Sequence, residues 1–347
     1  MSQIPGNAIA AEGLHAPGTR RRWLAPLLIG LSLLVIVLGA SVGSTGLDAL
    51  WRAARDPVAW QIVMDIRLPR TVGAWLTGAL LGLAGAVAQG LFRNPLADPF
   101  LLGSASGAVL GVAVLLVFTG TPMAAASWWL KLGLTGGAFL GALGGVLLTL
   151  LLAQGVQHTL RLLLAGVVVG YVLGAVKDLL TLSAPEVLSS MVAFVLGNTG
   201  LLGWQACGVL ALVLVPLLLL AAATARVLDG LSLGEATAYS LGLPLAPMRA
   251  LLVAVLALGT GAAVAQAGLI GFVGLAAPHL VRGMVRVTHG PLLLLSAITG
   301  GLLLAVADIA ARVLIAPQEL PVGVLTAVLG GSYLLWLMYR RTRGGAA

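Results

Sequence analysis

The sequence predicts an all-α, polytopic membrane protein with about ten transmembrane helices per subunit and both termini cytoplasmic. Three observations lead there. Of 347 residues, 60% are hydrophobic and only 9% charged, against about 25% charged in an ordinary soluble domain. Glycine adds 47 residues and the mean hydropathy is +1.08, so a water-soluble fold has too little polar surface to cover this chain. The apolar residues also come in continuous runs near the roughly 20-residue length of a helical span. A transmembrane β-barrel would show short alternating segments instead.

Residues 1–22 are polar, end in Arg20, Arg21 and Arg22, and read as a disordered cytoplasmic tail; the membrane domain is expected over 23–340 and a second tail over 341–347. The first apolar run is Leu24 to Val42. A basic stretch ahead of an apolar core is also the pattern of a signal peptide, but the run is long for one. Nine more runs lie at about 71–91, 100–120, 128–153, 160–182, 204–223, 247–267, 269–284, 292–312 and 322–339. No formally charged residue lies between Arg249 and Arg282, which is too long for one comfortable span. Gly268, Gly271 and Gly274 offer a turn there, so a tight hairpin with one short or broken helix is expected.

Charge sets the orientation. Arg20–Arg22, Arg340, Arg341 and Arg343 are assigned to the cytoplasm with Arg93, Arg161, Arg226, Arg249, Arg282 and Arg286. Arg52, Arg55, Arg67, Arg70, Lys131, Lys177 and Arg312 fall on the outer side, a split of twelve to seven. Termini on one side require an even number of spans. The net charge of +8 is thus scattered at the ends of apolar runs and is no nucleic-acid footprint; the expected surroundings are lipid.

Several chemistries are excluded. The single cysteine, Cys207, forbids a disulfide framework. The two lysines, Lys131 and Lys177, sit in no Walker A loop, so ATP hydrolysis would belong to another chain. His15, His158, His279 and His289 are too scattered for a metal-ligand pattern. Asp308 and Arg312 lie four apart and can pair along their helix. No acidic residue sits clearly at mid-membrane, which argues against the competing class, an ion-coupled secondary transporter.

Four-residue glycine ladders at Gly103, Gly107 and Gly111, at Gly133, Gly137, Gly141 and Gly145, and at Gly166, Gly170 and Gly174 place small residues on single helix faces, where helices approach closely. Arg67-Leu-Pro-Arg70 opens the second long run, with Pro69 suited to a helix start and two arginines near the outer surface. Gln89-Gly-Leu-Phe-Arg-Asn94-Pro-Leu96-Ala-Asp-Pro99 brackets a cytoplasmic turn with prolines. The longest cytoplasmic loop, about 224–247, contains Ser232-Leu-Gly-Glu235, which matches a capping box. A short helix is expected to follow, ending near Leu241, with Gly242 beyond its C-cap and Pro244 blocking continuation. Leu233, Ala236, Thr237 and Leu241 give it an apolar stripe that needs a partner surface.

These motifs, with Arg161-Leu-Leu-Leu-Ala-Gly166, Gly268-Leu-Ile-Gly-Phe-Val-Gly-Leu-Ala-Ala-Pro-His279, Ala307-Asp308, Ala311-Arg312 and Glu319-Leu-Pro-Val-Gly323, occur over residues 67–339 in the order of one family. The chain resembles FecCD-type permeases, the membrane subunits of type II ABC importers for haem, ferric siderophores and cobalamin. The resemblance implies a homodimer around one pathway in the bacterial inner membrane. It implies two ATP-binding ATPase subunits on the cytoplasmic side and a periplasmic substrate-binding protein outside. It implies no cofactor on this chain, with ATP and magnesium on the ATPase. Arg67, Arg70 and Arg312 match positions that dock the binding protein, and they are expected to face outward with net positive charge. Ser232, Glu235, Leu241 and Gly242 match the coupling element that meets the ATPase, and Asn94, Leu96, His158 and Thr159 match the turns that close the cytoplasmic gate. Few intramembrane charges suit a wide apolar path for a large ligand, with Tyr171 and Phe194 among its expected lining. Haem is the first expectation, with ferric siderophores and cobalamin as alternatives.

Overall fold

The computed structural model of the chain describes residues 17–42, 56–120, 128–153 and 159–344. The helices are α1 (Pro17–Ser41), α2 (Pro57–Leu91), α3 (Ser104–Thr119), α4 (Trp128–Leu152), α5 (Thr159–Ser183), α6 (Leu188–Leu196), α7 (Trp204–Ala223), α8 (Ala225–Ser232), α9 (Glu235–Ser240), α10 (Leu245–Ala267), α11 (Val273–Met284), α12 (His289–Val313) and α13 (Val322–Gly344). Each apolar run read from the sequence is occupied by one of them. Among the described residues, seven helices are long and apolar enough to cross a membrane: α1, α2, α4, α5, α7, α10 and α12.

Three boundaries differ from expectation. Helix α1 starts at Pro17, inside the stretch expected to be a disordered tail, and α13 continues to Gly344. Helix α2 starts at Pro57, ten residues before the Arg67-Leu-Pro-Arg70 motif, with the Asp56 carboxylate accepting the Val58 N–H at 2.9 Å as its N-cap. Pro69 therefore sits inside a continuous helix rather than at its start. A π-helical segment over Ile62–Arg67, in which the Leu68 N–H bonds the Val63 carbonyl, precedes it and loosens the turn that a proline ring crowds.

Helix α2 is the centre of the fold. It packs along α12 through Gly78, Gly82 and Gly300: a Cβ on Gly78 would overlap the Gly300 carbonyl, and one on Gly82 that of Ser296. The same close approach joins α3 to α4, where the first two sequence ladders face each other as Gly107 with Gly141 and Gly111 with Gly137. In the third ladder Gly166 packs on the Leu101 carbonyl, whereas Gly174 meets open space.

The hairpin between the seventh and eighth runs is broken, as its glycines suggested. Helix α10 ends at Ala267, residues 268–272 are irregular, and α11 has only 12 residues. Irregular backbone is tolerated at membrane depth only when protein surrounds it. Here the Leu269 N–H bonds the Phe194 carbonyl at 3.2 Å, the Asn198 N–H bonds the Ala267 carbonyl at 2.8 Å, and Ile270 is buried. The partner of this break is α6, a short helix that the sequence reading did not anticipate. Phe194 belongs to α6 and is buried in an apolar cluster with Met191 and Val264, so it does not line an open path; Tyr171 on α5 is exposed.

Candidate functional site

Two polar clusters lie at opposite ends of α2. The first gathers Arg67, Arg70, Thr199, Asp308, Arg312 and Glu319. Asp308 is fully buried and receives Arg70 Nε at 3.0 Å, the Thr199 hydroxyl and Arg312 Nη2. Arg70 Nη1 also reaches Glu319 Oε2 at 2.7 Å. Arg312 Nη2 donates to Thr71 Oγ1 at 3.0 Å, and its Nη1 donates to the Gly39 carbonyl at 2.9 Å. Arg67 Nη1 donates to the Ser41 carbonyl at 3.2 Å. Two arginines thus satisfy carbonyls in the last turn of α1, where the helix dipole favours cations.

This geometry corrects one expectation. Arg70 and Arg312 do not point outward with net positive charge; both are buried and paired with Asp308, and Arg70 is also paired with Glu319. Glu319, with 38% of its side chain exposed, and the partly exposed Arg67 are the accessible members of the cluster. The i,i+4 pair of Asp308 and Arg312 was legible from spacing. The Arg70 pairs were not, because their partners lie 238 and 249 residues away. Arg52 and Arg55 lie outside the described residues.

At the other end of α2, the helix stops at Leu91 and the chain turns through Arg93, whose φ of 50° is left-handed. Asn94 Oδ1 accepts the Leu96 N–H at 2.9 Å, closing the turn, and Leu96 is exposed. Asp98 caps the following 3-10 turn by accepting the Phe100 N–H at 2.8 Å; burial pushes its carboxyl above the usual carboxylate range, opposed by that hydrogen bond. Upstream, the buried Gln89 donates to the Leu275 carbonyl at 3.1 Å and accepts from Arg282, tying the turn to α11. Of the second turn expected at the gate, His158 lies outside the described residues, and Thr159 is the first residue of α5.

Beside this turn sit α8 and α9. The capping box is absent. Ser232 is the last residue of α8 and its hydroxyl donates to the Asp229 carbonyl at 2.6 Å; Gly234, with φ 109°, is the N-cap of α9 and has no side chain to offer. Glu235 turns elsewhere: its Oε1 lies 2.7 Å from Arg249 Nη2 on α10 and 3.6 Å from Arg93 Nη2. The C-terminal end matches expectation. Leu241 is the C-cap, Gly242 follows with φ 74°, and the Leu243 N–H bonds the Ala238 carbonyl while the Gly242 N–H bonds that of Tyr239, a Schellman motif. Ala238 is buried, whereas Leu233, Tyr239 and Leu241 are exposed at 66%, 78% and 61%. A helix anchored by one face and apolar on the other presents a contact surface, with Tyr239 an addition that the stripe read from spacing omitted. Nearby, Asp229 accepts from the backbone N–H of His289 at 2.9 Å and pairs with its Nδ1, joining α8 to α12. Among the described residues no His, Cys, Asp or Glu group could hold a metal ion.

Long apolar helices crossing on glycine faces, with few charges among them and an exposed contact helix at one end, mark a multi-pass membrane protein. The family model described as the FecCD transport family matches residues 27–340, and the chain belongs to that family; it is a permease subunit of an ABC importer. It is 38% identical over 325 residues to the hemin transport system permease protein HmuU of Yersinia pestis, covering 91% of this chain and 96% of that protein. It is 39% identical over 326 residues to the vitamin B12 import system permease protein BtuC of Salmonella typhimurium, covering 93% and 96%. A solved ABC transporter of metal-chelate type, in an inward-facing conformation, superposes with a TM-score of 0.79 at 28% identity over 92% of this chain and 99% of its own.

Proposed function

We propose that this chain carries haem across the bacterial inner membrane as one half of a homodimer, with two ATPase subunits below it and a substrate-binding protein above. The reading rests on taking the exposed face of α5 as a wall of the pathway: Leu164, Val168, Tyr171, Val172, Leu179 and Leu182 are exposed and apolar, and its one charged pair, Lys177 with Asp178, neutralises itself. Such a wall suits a large, flat, mostly apolar ligand better than a small ion. The similarity to a hemin permease over most of both chains is in keeping with haem, as the equal similarity to a vitamin B12 permease is with cobalamin. In proteoliposomes with its ATPase and binding protein, the chain is expected to take up haem and to leave a ferric siderophore and cobalamin outside. Uptake of either of those in place of haem overturns the substrate and leaves the importer intact.

The proposal includes ten spans with both termini cytoplasmic. The start of α1 packs near Val281 and Val285, at the end of the molecule that holds α9, and α13 runs away from the Asp308 end, which supports it. Ser232, Glu235, Leu241 and Gly242 are proposed to belong to the element that meets the ATPase, and ATP and magnesium are assigned to that ATPase rather than to this chain. Asn94 and Leu96, with His158 and Thr159, are proposed as the cytoplasmic gate. Arg67, Arg70 and Arg312 are proposed to underlie the docking surface in a restricted sense: an acidic partner would reach Arg70 by taking the place of Glu319. Replacing Leu241 with Asp puts a charge on the exposed apolar face while the buried Ala238 still anchors α9. ATPase affinity is expected to fall about tenfold or more, roughly 1.4 kcal/mol, with normal membrane insertion. Pull-down or fluorescence titration with the ATPase reads it, and unchanged affinity removes α9 from the coupling surface.

A further inference from the structure

Glu235 stands where three elements meet: it is the first residue of α9, and one carboxylate oxygen faces Arg249 of α10 and Arg93 of the turn after α2. The two contacts are unequal. The Arg249 pair is a close ion pair at 2.7 Å, with the arginine side chain only 7% exposed; the Arg93 pair is open at 3.6 Å, with 42% of that side chain exposed. Arg93 is also held in left-handed backbone, a conformation that L residues with a side chain rarely adopt. Directly after it come Asn94 and Leu96, closed on each other by the Asn94 side chain.

We infer that Glu235 is a positioning residue that transmits movement of α9 to the Arg93–Leu96 turn by exchanging its carboxylate between Arg249 and Arg93. This rests on the reading of α9 as the coupling helix and of that turn as part of the gate. The carboxylate cannot hold both guanidinium groups equally at these separations. A displacement of α9 toward the turn shortens the Arg93 contact as it lengthens the Arg249 contact, so the pair of arrangements is a two-position element that an ATPase bound on α9 can bias. Buried Arg249 supplies the fixed post, because its guanidinium is held within the protein. Arg93 supplies the moving one, because it lies in a turn rather than a helix and its side chain is partly exposed. The absent capping box fits the same picture: a Glu235 carboxylate committed to a backbone N–H of its own helix could not serve either arginine.

The test uses the full-length permease with a cysteine-free ATPase in proteoliposomes. Cys207→Ala removes the single cysteine of the chain, and Leu96→Cys places one thiol on the turn. Labelling of that thiol by a maleimide is timed with and without ATP at saturating ATPase, so that any change in affinity is kept out of the measurement. With Glu235 in place, ATP is expected to change the labelling rate several-fold. Glu235→Gln should bring the two rates within about twofold, Arg93→Gln should do the same, and the double variant should be no worse than either, as expected for residues in one network. Full ATP response in Glu235→Gln overturns the inference, as do losses that multiply in the double variant. If the response at position 96 is absent even with Glu235 and Arg93 intact, the gate reading itself fails. If Leu241→Asp leaves ATPase affinity unchanged, the coupling reading fails. Those two failures are distinct from that of the exchange.

Discussion

Replacing Asp308 with Ala is expected to produce one of the largest losses of stability available from a single substitution in this protein. Asp308 is fully buried on α12 and meets both Arg70 and Arg312, which are themselves buried. Removing it leaves two guanidinium groups facing each other in a low-dielectric interior. Breaking a buried ion pair by deleting one partner costs about 3–5 kcal/mol, because the remaining charge is uncompensated. Arg312 also donates to Gly39 and Thr71, so the damage spreads to the contacts of α1 and α2 with α12. Asp308→Asn keeps the shape and one acceptor and should cost less. Changing Asp308 and Arg312 together to apolar residues should recover part of the loss, since replacing a whole buried pair is often close to neutral. Glu319→Gln is the contrast: that carboxylate is partly exposed, so solvent screens it and the effect should be small. Thermal midpoints of the detergent-solubilised variants, read by the loss of monodisperse protein, order the four. Equal midpoints for Asp308→Ala and the unaltered protein would show that the cluster contributes nothing to the fold.

The same cluster marks where the sequence was legible and where it was not. Apolar run length located the helices, because a span of fixed thickness leaves a one-dimensional signature. The end of α9 was legible for a similar reason: Gly242 and Pro244 stop a helix through local sterics. Local rules failed where a residue had a better partner elsewhere. Glu235 matches a capping box by spacing, but Arg249 competes for its carboxylate and wins. Pro69 reads as a helix start, and instead lies within a helix that begins at Pro57 and passes through the π segment Ile62–Arg67. The burial of Arg70 is not legible locally, because Asp308 and Glu319 are hundreds of residues away along the chain and adjacent in space. Small-residue spacing carried more than was taken from it: Gly78, Gly82 and Gly85 share one face of α2 at helical spacing, although the ladders picked out lay in α3, α4 and α5.

Gly85→Leu is the second substitution of large expected effect, and its cause is different. A Cβ at Gly85 would overlap the carbonyl oxygen, carbonyl carbon and Cα of Gly274 in the first turn of α11. These are backbone atoms, so no rotamer change makes room, and α11 must move off α2. Gly274 is packed as tightly from its own side, since a Cβ added there would meet Pro99 and the Leu81 carbonyl of α2. Overpacking of a tight interior commonly costs about 1–3 kcal/mol and more when the backbone is the obstacle. The consequence reaches the gate turn, since Gln89, one helical turn further along α2, bonds the Leu275 carbonyl of α11. Gly85→Leu is therefore expected to insert normally, because it makes the span more apolar, yet to lose most monodisperse protein on solubilisation and most transport in what remains. Gly85→Ala should fall between, as the overlap begins at the first side-chain carbon. Gly136→Leu is the control: a Cβ there meets nothing within 4 Å, so the added side chain points into open space and the midpoint should move little. Size-exclusion profiles of the three variants read the result, and a Gly85→Leu profile matching that of Gly136→Leu would mean that α2 and α11 do not pack backbone to backbone.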